Sequence, residues 1–111
     1  MMSGSRVEAE LFLDGKFVGK IAIKGKNHSW HFGEFHPNAE FAAFAPLFGR
    51  WSLLMHADED SARLSRAASE ELRQTEIELD RLEAKLFIPS TGTWKVIRQV
   101  NIDGSLIDWK T

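Results

Sequence analysis

The chain has 111 residues, 43% of them hydrophobic and 27% charged, with 14 Lys+Arg against 16 Asp+Glu and no cysteine. Such a composition suits one globular domain with one core, and it excludes a disulfide framework and thiolate metal ligation. The longest apolar stretch, Phe41 to Met55, is broken by Pro46, Gly49, Arg50 and Ser52, well short of the roughly 20 apolar residues of a membrane span. No secretory signal pattern follows Met1, so a cytoplasmic protein with no membrane partner is expected, and residues 1–6 read as a disordered lead-in.

From Val7 to Ile23 apolar residues alternate with Glu8, Glu10, Lys16 and Lys20, the pattern of a half-buried hairpin around Asp14-Gly15. A plain two-residue loop would pair Leu13 with Lys16 and mix the faces. Keeping the faces pure requires Leu13 opposite Phe17, hence a longer loop with a glycine bulge, and sets Glu10 opposite Lys20. Gly25-Lys26-Asn27 is turn chemistry, and Ser29 to Phe35 reads as a third strand. Trp30, Phe32 and Glu34 fall on one face of that strand, with His31, Gly33 and Phe35 on the other, which suggests a central position.

Pro37 suits a helix start. Phe41, Phe44, Phe48, Trp51 and Met55 then form one helical stripe, interrupted by Pro46, which predicts a break near Ala45 and a second helical piece from Leu47 to His56. Asp58-Glu59-Asp60-Ser61 looks like an acidic cap opening a polar helix through Leu64, Ala68, Leu72, Thr75 and Leu79. Leu82 to Ile88 fits helix and strand periodicities alike. An unbroken helix from Ser61 to Leu86 would span about 39 Å, too long for a domain of this size, which favours a helix ending near Arg81 and a strand from Ala84 to Ile88.

Thr93 to Ile102 predicts a strand with Trp94, Val96, Arg98, Val100 and Ile102 on one face. A type I′ turn at Asp103-Gly104 would pair Val100 with Ile107 and place Arg98 on Trp109. The fold expected is α+β: an antiparallel sheet of five or six strands, an N-terminal three-stranded meander plus C-terminal strands, packed against central helices.

Leu13-Asp14-Gly15 with Gly19, the run Trp30-x-x-Gly33-x-Phe35-x-Pro37-x-x-x-Phe41, Pro46-Leu47-Phe48, and Ile102-Asp103-Gly104 with Trp109 resemble a group of small uncharacterised bacterial proteins with DG hairpins. The resemblance implies a bacterial, cytosolic, single-domain protein. It brings no catalytic residues, and it supports a strand at Leu86 to Ile88.

Candidate chemistry is sparse. His28, His31 and His36 differ in strand parity and lack a fourth ligand, so no metal or cofactor is expected. Ser52, His56 and Asp58 or Asp60 supply triad residue types without a nucleophile elbow, which argues against an enzyme. Lys16, Lys20, Lys24 and Lys26 share one parity and read as protection of a sheet edge rather than a nucleic-acid surface. Glu34 and Arg98 are charges on otherwise apolar stripes, predicting an ion pair within a pocket.

Between Asp58 and Glu83 lie nine acids and four Arg, net −5, while the rest of the chain is net +3. The reading that results is a non-catalytic protein-interaction module, associating with itself or with a bacterial partner protein. The alternative is a small-ligand-binding domain or enzyme with a pocket built from Trp30, Glu34, Arg98 and Trp109.

Overall fold

Asp14 and Gly15 both take left-handed φ, 51° and 81°, as a two-residue type I′ turn requires. They join β1 (Val7–Leu13) to β2 (Lys16–Asn27) in the computed structural model, which describes residues 7–60 and 66–111. The expected lead-in at residues 1–6 lies outside that range. Leu13 faces Lys16, not Phe17, so the loop is the short one. The faces are kept pure by other means. A β-bulge at Val18 inserts one residue between Phe17 (opposite Phe12) and Gly19 (opposite Leu11), and from there Glu10 faces Lys20 as expected.

A second irregularity falls at Lys24, between the Ile23–Gly33 and Gly25–Phe32 pairs, so Gly25-Lys26-Asn27 continues the strand. The chain reverses at His28-Ser29 into β3 (Trp30–Pro37). Within β3 the buried residues are Gly33 and Phe35, while Phe32 is exposed. The inward face is thus the odd one, and Glu34 with Phe32 looks outward.

Pro37 closes β3 rather than opening a helix. Asn38 performs the capping: its Oδ1 accepts from Glu40 N at 2.9 Å, and its Nδ2 donates to Phe17 O at 2.9 Å. A short 3₁₀ helix, Ala39–Ala43, follows, and α1 (Ala45–Asp60) starts with Pro46 in its first turn, where no N–H is needed. The break near Ala45 is therefore a junction between two helices. α1 runs four residues beyond the expected His56, and of the expected cap and helix start Ser61 and Leu64 lie outside the described residues. α2 (Arg66–Asp80) is followed by β4 (Ala84–Ile88), β5 (Thr93–Asp103) and β6 (Leu106–Lys110). The ambiguity at residues 82–88 resolves as strand from Ala84 onward, with Leu82 and Glu83 in the connection.

The fold is α+β, and its six antiparallel strands close into a barrel in the order β1-β2-β3-β6-β5-β4. Closure goes beyond the open sheet expected from the sequence. β4 pairs with β1, Leu13 facing Ala84, and this seam is locked by Asp14 N donating to Glu83 O and Glu83 N donating to Asp14 Oδ1, both at 2.8 Å. Inside sit Leu11, Leu13, Val18, Ile21, Phe35, Leu86, Ile97, Ile102, Ile107 and Trp109. The Phe stripe covers part of this core: Phe41 meets Phe35 edge-on at 5.0 Å and Phe48 at 5.8 Å, and Phe48 is buried. α1 and α2 pack on each other and on β5.

Two glycines permit the close strand approaches of this small barrel. A Cβ on Gly33 would lie 2.4 Å from Ala22 O, and one on Gly19 would lie 2.5 Å from His36 O. Backbone must move to relieve either clash. Gly33→Ala is expected to lower stability by about 1–3 kcal/mol, the usual range for overpacking. Gly49, in α1 with open space around its Cα, is the control: Gly49→Ala should raise stability by about 0.5–1 kcal/mol. Urea unfolding of both variants checks the contrast.

Candidate functional site

β5 does not hold one parity. It pairs with β4 from Thr93 to Ile97, then with β6 at Arg98 and from Asn101 onward. Gln99 takes a left-handed φ of 53°, which shifts the register. Before this bulge Ile97 points inward; after it Val100 and Ile102 do. Trp94 and Val96, expected on the same face as Val100 and Ile102, are 54% and 72% exposed.

The closing hairpin differs as well. Ile102 faces Ile107 and Asp103 faces Leu106, so the loop is Gly104-Ser105, with a positive φ of 62° at Gly104, rather than Asp103-Gly104. Arg98 consequently lies opposite Lys110, not Trp109. The cation over an indole is Lys110, 4.8 Å from the Trp30 ring centroid.

The four sequence-derived candidates therefore separate. Trp109 is 1% exposed, a core residue whose ring stacks on His31 at 5.7 Å and 10°. Burial, with the positive charges of Lys26 and Lys95 as lesser causes, holds the His31 imidazole pKa below its ordinary value. Glu34, on the outer wall, meets His36 Nε2 at 2.9 Å and Lys24 Nζ at 4.0 Å. It forms no pair with Arg98. His28 sits in the β2–β3 turn with a φ of 59°, so the three histidines point to three different surroundings.

Trp30 and Arg98 line adjoining cavities. Arg98 and Lys110 line a cavity of about 600 Å³ between the end of α2 and β5, floored by Leu13, Phe48, Leu79 and Leu82. Trp30 lines a neighbouring cavity of about 400 Å³ with Trp51 and Met55, and the two cavities share Leu79, Asp80, Gln99 and Val100. Gln99 was missed from the sequence. Its signal is the three-residue step between the apolar Ile97 and Val100, which no regular strand gives.

Ser52 and His56 meet around a carboxylate from elsewhere in the chain. Ser52 Oγ donates to Asp103 Oδ1 at 2.7 Å, and His56 Nε2 lies 2.8 Å from Asp103 Oδ2. In a nucleophilic triad the serine would donate to the imidazole. Here the serine proton is directed at the carboxylate, and the cluster ties α1 to the β5–β6 turn.

The outer wall opposite this tie carries a second feature. Phe17 on β2, Phe12 on β1, Phe87 on β4 and Trp94 on β5 run ring to ring: 5.5 Å from Phe12 to Phe17, 5.0 Å from Phe12 to Trp94 and 4.9 Å from Phe87 to Trp94. Val96 extends this ridge.

Hydrogen bonds from Ser52 and His56 hold the Asp103 carboxyl below the usual carboxylate pKa. A group depressed in the folded state stabilises the fold fully above its unfolded value, about 3.9, and loses that contribution as pH falls through the folded value. Asp103→Asn should therefore flatten the loss of stability below about pH 4, measured as the urea midpoint against pH. Trp109→Ala should cost about 3–5 kcal/mol, against a small loss for Trp30→Ala. No helix among the described residues is long and apolar enough to cross a membrane. No protein-family model, curated protein or solved structure matches the chain.

Proposed function

We propose that the protein is a non-catalytic interaction module of the bacterial cytosol that associates with a second copy of itself through the aromatic ridge. The observation that carries this reading is the ridge: four packed rings and Val96 spread across four strands, with Trp94 and Val96 largely exposed. Isolated exposed apolar residues are ordinary; a contiguous aromatic surface on a sheet is the composition of a contact.

Charge supports the choice of partner. The exposed Lys20 shares the outer face of β2 with Phe17, whereas α2 carries Glu70, Glu71, Glu76, Glu78 and Asp80 against Arg66 and Arg73. The helices also leave Leu53 (76%) and Ile77 (36%) exposed, apolar counterparts for the ridge. A twofold pairing lets each copy's ridge meet the other's helices. The Ser52–Asp103–His56 arrangement, with its serine directed at a carboxylate, supports the non-catalytic part.

Sedimentation velocity at low and high salt tests the proposal. Association is expected at low salt, weakened at high salt as surface charges are screened, and weakened at least tenfold by Trp94→Ala, whose exposed side chain the fold does not need. A monomer at both ionic strengths overturns it.

A further inference from the structure

The smaller of the two adjoining cavities lies between α1, α2 and β5, and none of the ridge residues lines it. Trp51 and Met55 face it from one turn of α1, and Glu76 and Asp80 from one turn of α2. Trp30, at the start of β3, completes the wall. Both indoles and Met55 are half-buried, with indole and thioether surface left to the cavity. Among the described residues neither Trp30 nor Trp51 stacks on another aromatic ring, whereas Trp94 and Trp109 do. What approaches Trp30 is a cation: Lys110 Nζ stands 4.8 Å from its ring centroid, and Lys110 lines the neighbouring cavity, not this one.

The charge of the lining is one-sided. Among the described residues Glu76 and Asp80 form no ion pair, while Arg50 meets Glu71 and Glu78 and Arg73 meets Glu70 on the same helix. No basic residue lines the cavity, so its two carboxylates stand uncompensated. The last turn of α2 carries no basic residue either, and the carbonyl end of the helix adds negative potential beside Asp80.

We infer that this cavity binds a small soluble cation bearing a trimethylammonium group. Two carboxylates without a partner call for positive charge, and among the described residues no cluster of acidic and imidazole groups could hold a metal ion. The indoles and the thioether decide which organic cation fits. A primary ammonium would lose water on entering and find only weak acceptors on that wall, a loss without replacement. A quaternary ammonium has no N–H to satisfy. Its charge is spread over methyl groups that pack on indole faces, where the negative face of the ring attracts them.

The β5 side is neutral, with the side chains of Gln99 and Asn101 available to a short polar tail on the same ligand. The volume of about 400 Å³ falls within the range of small-ligand sites, about 300–1,000 Å³. An anion is excluded by Glu76 and Asp80, and an uncharged molecule of the same shape would leave both carboxylates uncompensated.

Isothermal titration calorimetry at physiological ionic strength tests the inference with choline and with neohexyl alcohol, its uncharged isostere with carbon in place of nitrogen. Choline is expected to bind saturably, one per chain, and at least tenfold tighter than the alcohol. The double change Glu76→Gln with Asp80→Asn, at exposed positions and checked by an unchanged thermal midpoint, should erase that preference. Trp51→Leu should weaken choline at least tenfold and Trp51→Phe less. Trp94→Ala should leave binding intact, which separates this site from the ridge. Absence of choline binding, equal binding of choline and the alcohol, or a preference that survives the double change overturns the proposal. So does displacement of choline by an equal concentration of ammonium ion, and so does co-sedimentation with phosphatidylcholine vesicles by a protein that ignores free choline.

Discussion

Pairing of β1 with β4 is the contact on which the remaining architecture depends, because it turns a sheet with two exposed edges into a closed wall. Closing six strands around side chains demands strong curvature, and the chain concentrates it at three irregularities, at Val18, Lys24 and Gln99–Val100. Each resets which residues face inward. The interior is narrow enough that Gly19 and Gly33 cannot carry a Cβ without striking backbone, while Trp109 and Phe35 fill the volume that remains. The lock between Asp14 and Glu83 sits at one end of the closing seam, where a loose end would otherwise fray.

The elements were legible where periodicity is uninterrupted. The Glu10–Lys20 register could be read from spacing, whereas the end of the polar helix near Arg81 and the strand at Ala84 to Ile88, where both periodicities fit, followed from the length an unbroken helix would need. What could not be read was the effect of a bulge. Parity arguments carry a face assignment along a whole strand, so one extra residue inverts everything beyond it. That is why Trp94 and Val96, aligned by parity with Val100 and Ile102, lie on the other face, and why parity sets Arg98 against Trp109 rather than Lys110. On β3 both parities carry aromatic rings, and the choice between them was settled by Gly33, whose lack of a side chain matters only once strands press together.

The candidate residues fared similarly. Trp30 and Arg98 reach adjoining cavities, and Glu34 lines a third that shares Trp51 and Asn101 with the cavity of Trp30, but Trp109 belongs to the core. Ser52, His56 and Asp103 illustrate a more general point: residue types suggest a chemistry, whereas the direction of one hydrogen bond decides whether it is available. A serine that donates to a carboxylate is a structural strut joining helix to barrel.

The helical segment lies between β3 and β4 in the chain, yet neither strand pairs with the other. Leu13 meets Ala84 and Trp30 meets Lys110 across sequence separations that span the whole helical insertion. The hairpins on either side can form locally, but the two seams must wait for distant segments to meet, and that meeting sets the pace of folding in such topologies. Because the entropy of closing a loop grows only slowly with its length, the helices act kinetically as a tether whose exact extent matters little. Folding should therefore pass through a late step in which both seams zip together, leaving the β4–β5–β6 unit transiently unsupported and its two rings, Phe87 and Trp94, open to the wrong neighbour.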